Sequence, residues 1–156
     1  MKYFLVIALF FCATMLLGQT EFDTNYVTLI SLSNNRDKVP VLNNNGEVDL
    51  SQQEIFTIDS LVNLCIEENN NNGKTSNSVG EYIGVHTFKK QFVPSLNENK
   101  EIIVWVNCFN SDRITEGLDW KSDLIIVKDG GVGGKLFNLI VNLTTESYSK
   151  LYVNGM

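Results

Sequence analysis

Apolar and polar positions follow two different periods along this chain. Between Gln52 and Ile66 the apolar residues Ile55, Ile58, Leu61, Val62, Cys65 and Ile66 recur at three- and four-residue steps, which makes one stripe on a helix. The preceding "SQQE", Ser51 to Glu54, has the form of a capping box. In that motif the serine hydroxyl accepts from the amide three residues on, and the glutamate reaches back to the serine amide. "EENNNNG", Glu67 to Gly73, predicts the end of the helix. Asparagine competes for the backbone, and glycine accepts the left-handed conformation.

After Gly73 the period becomes two. "EYIGVHTFKKQF" (Glu81 to Phe92), "KEIIVWVNCF" (Lys100 to Phe109), "SDLIIVKD" (Ser122 to Asp129), "KLFNLIVN" (Lys135 to Asn142) and "YSKLYVNG" (Tyr148 to Gly155) predict strands. The short spacings predict antiparallel hairpins, because a parallel return needs a long crossover. On the second strand Ile102, Val104, Val106 and Cys108 share one face, and Ile103, Trp105, Asn107 and Phe109 share the other. The aliphatic face suits the helix stripe, which brings Cys65 and Cys108 to one core. The aromatic face needs another cover, either the N-terminal arm or a partner. The predicted fold is α+β: one amphipathic helix packed on a curved antiparallel sheet of four to five strands.

Residues 19–50 carry less pattern. "NYVTLISL", Asn25 to Leu32, suits an edge strand, and "SNNRDKVPVLNNNGEVD" is rich in turn formers. The expected division is a leader over 1–18, a loosely structured arm over 19–50 and an α+β domain over 51–156.

The first residues, MKYFLVIALFFCATMLLGQT, place Lys2 before an apolar run from Tyr3 to Leu17, with small Gly18 after it. That is the layout of a secretory signal peptide cut after Gly18. The run is about fifteen residues, whereas a membrane span needs about 20, so an uncleaved anchor is the weaker alternative. Phe10 and Phe11 before Cys12 do not suit a lipoprotein signal. The chain is therefore expected to be exported, periplasmic or secreted, with no stable membrane span after cleavage.

Removing residues 1–18 takes away one lysine and no acid, so the formal net charge of −6 becomes −7. A nucleic-acid partner is not expected, because backbone phosphates need Lys and Arg to neutralise them. The same charge disfavours docking on anionic lipid. Two cysteines remain, Cys65 and Cys108. In an exported chain they suit either one disulfide or two buried thiols.

The segment "VKDGGVGGKLFNLIVN", Val127 to Asn142, invites a phosphate-loop interpretation and fails it. Aligning a Walker loop on Gly134-Lys135 puts Asp129 in place of the first glycine and Leu136 in place of the hydroxyl. Alternating Phe137, Leu139, Val141 and Leu143 then give a strand where a helix should start. Asp-Gly with further glycines between apolar runs is a hairpin signal.

Other chemistry is sparse. His86 is the single histidine and has no metal-ligand pattern beside it. Pairing it with Cys108 requires a thiolate in a predicted core, where thiolates are disfavoured. Calcium loops centred on Gly46 or Gly73 lack the bidentate acid at the last position. Asp123 and Asp129 are too far apart on one segment to work as a pair. Asn142-Leu143-Thr144 matches a glycosylation acceptor, a tripeptide that also arises by chance. No cofactor is expected.

"QFVPS", Gln91 to Ser95, partly resembles the Q-x-V-x-G wedge of cystatin protease inhibitors, which lies in the first hairpin after the helix. Gln91 and Val93 match, and Ser95 stands where that family has glycine. The resemblance implies a cystatin-like fold with a depleted inhibitory motif. The set "VDLSQQEI", "VWVNCF", "VKDGG", "FNLIVNLTT" and "LYVNG" resembles a group of small exported bacterial proteins of the Bacteroidota type, without an established activity, over roughly residues 47–156. That resemblance supplies no catalytic residue.

These observations point to a noncatalytic exported binding or interaction module with a protein or glycan partner in the envelope or outside the cell. Trp105, Phe109 and Tyr152 are candidates for an exposed aromatic patch, the alternative being burial under the arm. Two competing functions are a small hydrolase or isomerase with a cavity between helix and sheet, and a cystatin-like inhibitor.

Overall fold

The computed structural model describes residues 24–35, 38–39, 46–73, 88–110, 118–126, 136–149 and 151–153. Its elements are β1 (Val27–Leu29), α1 (Gln52–Gly73), β2 (Phe88–Leu96), β3 (Ile102–Asn110), β4 (Leu136–Asn142), β5 (Ser147–Tyr148) and β6 (Tyr152–Val153). They form one sheet in the order β1-β2-β3-β4-β5, with β6 also paired to β4. One helix on a mostly antiparallel sheet is the α+β arrangement that the two periods predict. No helix among the described residues is long and apolar enough to cross a membrane.

The helix starts as its sequence dictates. The Ser51 amide donates to Glu54 Oε2 over 2.7 Å, and the Glu54 amide donates to Ser51 Oγ over 3.3 Å. The side-chain hydrogen bond from Ser51, then the backbone one, holds the Glu54 carboxyl below its ordinary pKa. Beyond Ile66 the helix continues through the asparagine run to Gly73.

Ile55, Ile58, Val62, Cys65 and Ile66 bury against Phe92, Val104, Val106, Cys108 and Phe137 in one cluster. Val104 and Val106 thus face the helix stripe, as alternation on β3 requires. Each fully buried aliphatic side chain contributes about 1.5–3 kcal/mol. Ile58, Val62, Phe92, Val106 and Phe137 are all completely buried, so the helix–sheet interface is filled by side chains.

The opposite face of the sheet is covered too. Ile30, Leu32 and Val39 of the arm pack with Val93, Trp105 and Leu124. Phe109, Ile125 and Leu136 pack with Trp120 alongside. Residues 24–35 of the arm are therefore a structural layer rather than a loose lead-in. A sheet covered on both faces explains why β3 is apolar at nearly every position.

Three features differ from the expected plain meander. First, β1 runs parallel to β2. The chain between them contains α1, which supplies the crossover that a parallel pair needs. Second, Ser122–Ile126 is not a strand, although its composition suits one. Its backbone is bonded by side-chain amides instead, as described below. Third, the outer edge of β4 carries a bulge. Val141 pairs with Tyr148 and Asn142 with Ser147, whereas Phe137 pairs with Val153 and Asn138 with Tyr152. One extra residue therefore sits between β5 and β6, and Ser149 Oγ accepts from the Ile140 amide over 2.9 Å.

β2 and β3 form the tight hairpin that their spacing predicts. Asn97 Oδ1 accepts from the Asn99 and Glu101 amides, and Lys100 takes the left-handed conformation at φ 65°. The glycine segment Val127–Lys135, the leader and the part of the first predicted strand before Phe88 lie outside the described residues.

Candidate functional site

The candidate aromatic patch is not assembled. Trp105 is 7% exposed and sits under Ile30, Leu32 and Val39. Phe109 is fully buried, with its ring edge-on to Trp120 at 6.4 Å. Tyr152 alone of the three is open, at 72%. The correction has a simple cause: the face that needed a cover has one in the chain's own arm and in the segment 118–126.

Cys65 and Cys108 lie in the same core cluster, as expected, and both are free thiols rather than a disulfide. Burial, then the nearby Glu68 carboxylate, pushes the Cys65 thiol up to about 11. The bulge between β5 and β6 presents the Ser149 carbonyl to Cys65 Sγ at 3.6 Å. Burial drives the Cys108 thiol far above its ordinary range. Neither is a ready nucleophile, since the thiolate is the reactive form. His86 lies outside the described residues.

Gln91 and Val93 do not form a protease wedge. Both are completely buried on β2, whose turn comes later, at Asn97–Lys100. Gln91 instead has a role that composition did not reveal. It stands opposite Asn107 across β2 and β3. Gln91 Nε2 donates to the Trp120 and Asp123 carbonyls, at 2.8 and 2.7 Å. Gln91 Oε1 accepts from Asn107 Nδ2 at 3.1 Å and from the Ile125 amide at 3.0 Å. Asn107 Nδ2 also donates to the Ile125 carbonyl over 2.7 Å. Two side-chain amides thus replace the ladder for Trp120–Ile125 and carry that segment across the sheet. The sequence signal for them is an amide at each of two facing positions, Gln91 beside the lysines of β2 and Asn107 within the apolar run of β3.

A second buried polar group lies on the helix side. Lys90 Nζ meets Asp59 Oδ1 at 2.6 Å and Asn63 Oδ1 at 3.2 Å. Lys90 is the register partner of Cys108, so the ammonium sits inside the main core and ties α1 to β2. Asp123 is engaged by the Asp119 amide through Oδ2 at 2.9 Å. Asp129 lies outside the described residues. Asn142 of the glycosylation tripeptide donates to Glu101 and accepts from the Thr145 amide, while Thr144 Oγ1 accepts from Ile102. Among the described residues no group of three or more His, Cys, Asp or Glu is placed to hold a metal.

An accessible concavity among the described residues lies elsewhere, at the sheet edge. The Lys90 amide donates to the Tyr26 carbonyl at 2.7 Å, the Ile30 amide to the Phe92 carbonyl at 2.9 Å, and the Leu96 amide to the Gly46 carbonyl at 3.2 Å. All three bonds lie on one side of β2. β1 flanks the first part of that side, and Gly46, at φ 151°, takes over near the end. Between them stands Pro94, which has no N–H to satisfy, so an interruption there leaves no donor orphaned. The gap is an open groove of about 260 Å³ lined by Leu29, Leu32, Glu47, Val48, Asp49 and Pro94, among others. Glu47 Oε1 accepts from Ser31 Oγ and the Ser33 amide, both at 2.7 Å, which fixes the arm beside the groove.

Comparison with protein families, curated proteins and solved structures gives no match for this chain.

Proposed function

We propose that this chain is an exported, noncatalytic binding module. The supporting observation is where its reactive side chains are spent. Gln91, Asn107, Lys90 and Cys108 are all buried and hold strands, helix and the 118–126 segment together. The interface that a cavity enzyme of this class would hollow out is filled by Ile58, Val62, Phe92 and Phe137. The burial of Gln91 and Val93 weighs against the cystatin-type inhibitor in the same way. Export rests on the leader "MKYFLVIALFFCATMLLG" and agrees with the likeness to small exported bacterial proteins. Among the described residues, the fold offers outward a groove at an interrupted sheet edge.

The test uses the chain from Gln19 to Met156. It is screened by thermal shift against peptide and glycan libraries, and in parallel against ester, peptide and glycoside substrates. The proposal expects a saturable rise in melting temperature with some class of ligand and no turnover. Turnover that survives repurification and disappears on a single substitution in this chain would contradict it.

A further inference from the structure

Resting on the binding-module proposal, we infer that the groove beside β1 takes an extended peptide carrying a basic side chain. Three observations combine. The first is backbone geometry. The bonds from β1 to β2 use Tyr26 and Ile30, so the alternation of the ladder turns the Leu29 amide and carbonyl to the outer edge. Leu29 is 40% exposed, and among the described residues no strand pairs with that edge. An exposed edge is a template for an added strand.

The second is shape. The interruption at Pro94 leaves about 260 Å³ beside Leu29, room for one side chain of the added strand. Leu29, Leu32, Val48 and Pro94 give that space apolar walls, which suit the methylene stem of lysine or arginine.

The third is charge. Among the described residues that line the groove, the two ionisable ones are acids, Glu47 and Asp49, and the whole chain is at −6. Glu47 is held in place by Ser31 and Ser33, so its carboxylate keeps its position beside the groove. An acidic peptide meets repulsion here, and an uncharged one forgoes the attraction. Complementary charge of this kind sets specificity and register more than raw affinity.

The experiment uses the Gln19–Met156 chain and a fluorescein-labelled probe, acetyl-Thr-Val-Thr-Lys-Thr-Val-Thr-amide, read by anisotropy. Controls replace the central lysine by glutamate, or N-methylate alternate amides so that the peptide cannot pair as a strand. Binding of the lysine probe is expected, with at least a tenfold loss for both controls. Asp49→Asn is expected to weaken the lysine probe about threefold, and the Glu47→Gln/Asp49→Asn pair about tenfold, in line with exposed charge pairs. Asp49→Asn leaves the Ser31 and Ser33 bonds in place, so its effect does not depend on the arm staying seated. Slower hydrogen exchange at the Leu29 amide under saturating probe is the structural readout. Equal binding of lysine and glutamate probes, or unchanged Leu29 exchange, would overturn the inference. Binding of a glycan with Leu29 unaffected would also overturn it while leaving the binding-module proposal standing.

Discussion

Gln91 and Asn107 face each other across β2 and β3, and the Asn107 side-chain amide donates to the Gln91 side-chain carbonyl over 3.1 Å. Both are buried, and together they bond the backbone at Trp120, Asp123 and Ile125. Gln91→Leu keeps roughly the volume but strips partners from two carbonyls and the Ile125 amide. Each buried polar group left unpaired costs about 1–3 kcal/mol, and some regain water, so the expected loss is about 3 kcal/mol in urea unfolding. Asn107→Ala should lose about 2 kcal/mol. Because both residues serve Ile125, the double variant should depart from additivity by about 1 kcal/mol or more. Additive losses would mean that the two amides act separately.

The ion pair on the helix side yields a different pattern. Asp59→Ala leaves the buried Lys90 ammonium with Asn63 Oδ1, at 3.2 Å, as its partner among the described residues. Breaking a buried pair costs about 3–5 kcal/mol, and the partial exposure of the Asp59 side chain, 32%, brings the expectation to about 2–3 kcal/mol. Replacing both, Lys90→Met with Asp59→Leu, should recover most of that loss, since apolar packing removes the stranded charge. Urea denaturation of the two single variants and the double variant checks this.

The main core was legible in the sequence because it follows the simplest rule, one face per period. Ile58, Val62, Val104 and Val106 meet as their spacing requires, and Ser51 and Glu54 announce the helix start. The back of the sheet was less legible. "DLIIV" has the composition of a strand, yet Ile125 is held by two side-chain amides, and side-chain bonding leaves no periodic trace. The direction of β1 was hidden for a similar reason, because three residues carry no record of which way their partner runs. The groove depends on Pro94 and Gly46 coming to the same edge of β2 from distant parts of the chain. Neither residue marks that meeting locally.

The thiols give a pH-dependent outcome. The Cys65 thiol is raised from an ordinary 9.0 to about 11, and Cys108 rises further. With the folded value above the unfolded one, the native state holds its protons where the unfolded chain has released them. Stability is therefore intact below pH 9 and falls as pH rises from 9 toward 11 and beyond. The Cys65→Ala/Cys108→Ala double variant should be less stable at neutral pH and show a flatter decline. At pH 8 the native Gln19–Met156 chain should react slowly with Ellman's reagent, and both thiols should react once urea unfolds it. A chain that stays unreactive after unfolding would carry a disulfide.

Described residues cover the sheet on both faces, and the proposed binding therefore falls to its edge. Trp105 tests the seal most directly, because among the described residues Ile30, Leu32 and Val39 of the arm pack against it together with Leu124. In a Trp120→Phe variant Trp105 is the sole tryptophan. Its emission should be blue-shifted and weakly quenched by acrylamide in the folded chain, becoming red-shifted and readily quenched when Ile30→Asp and Leu32→Asp detach the arm. Red-shifted, freely quenched emission from the otherwise unaltered folded chain would show an open aromatic face and contradict the account.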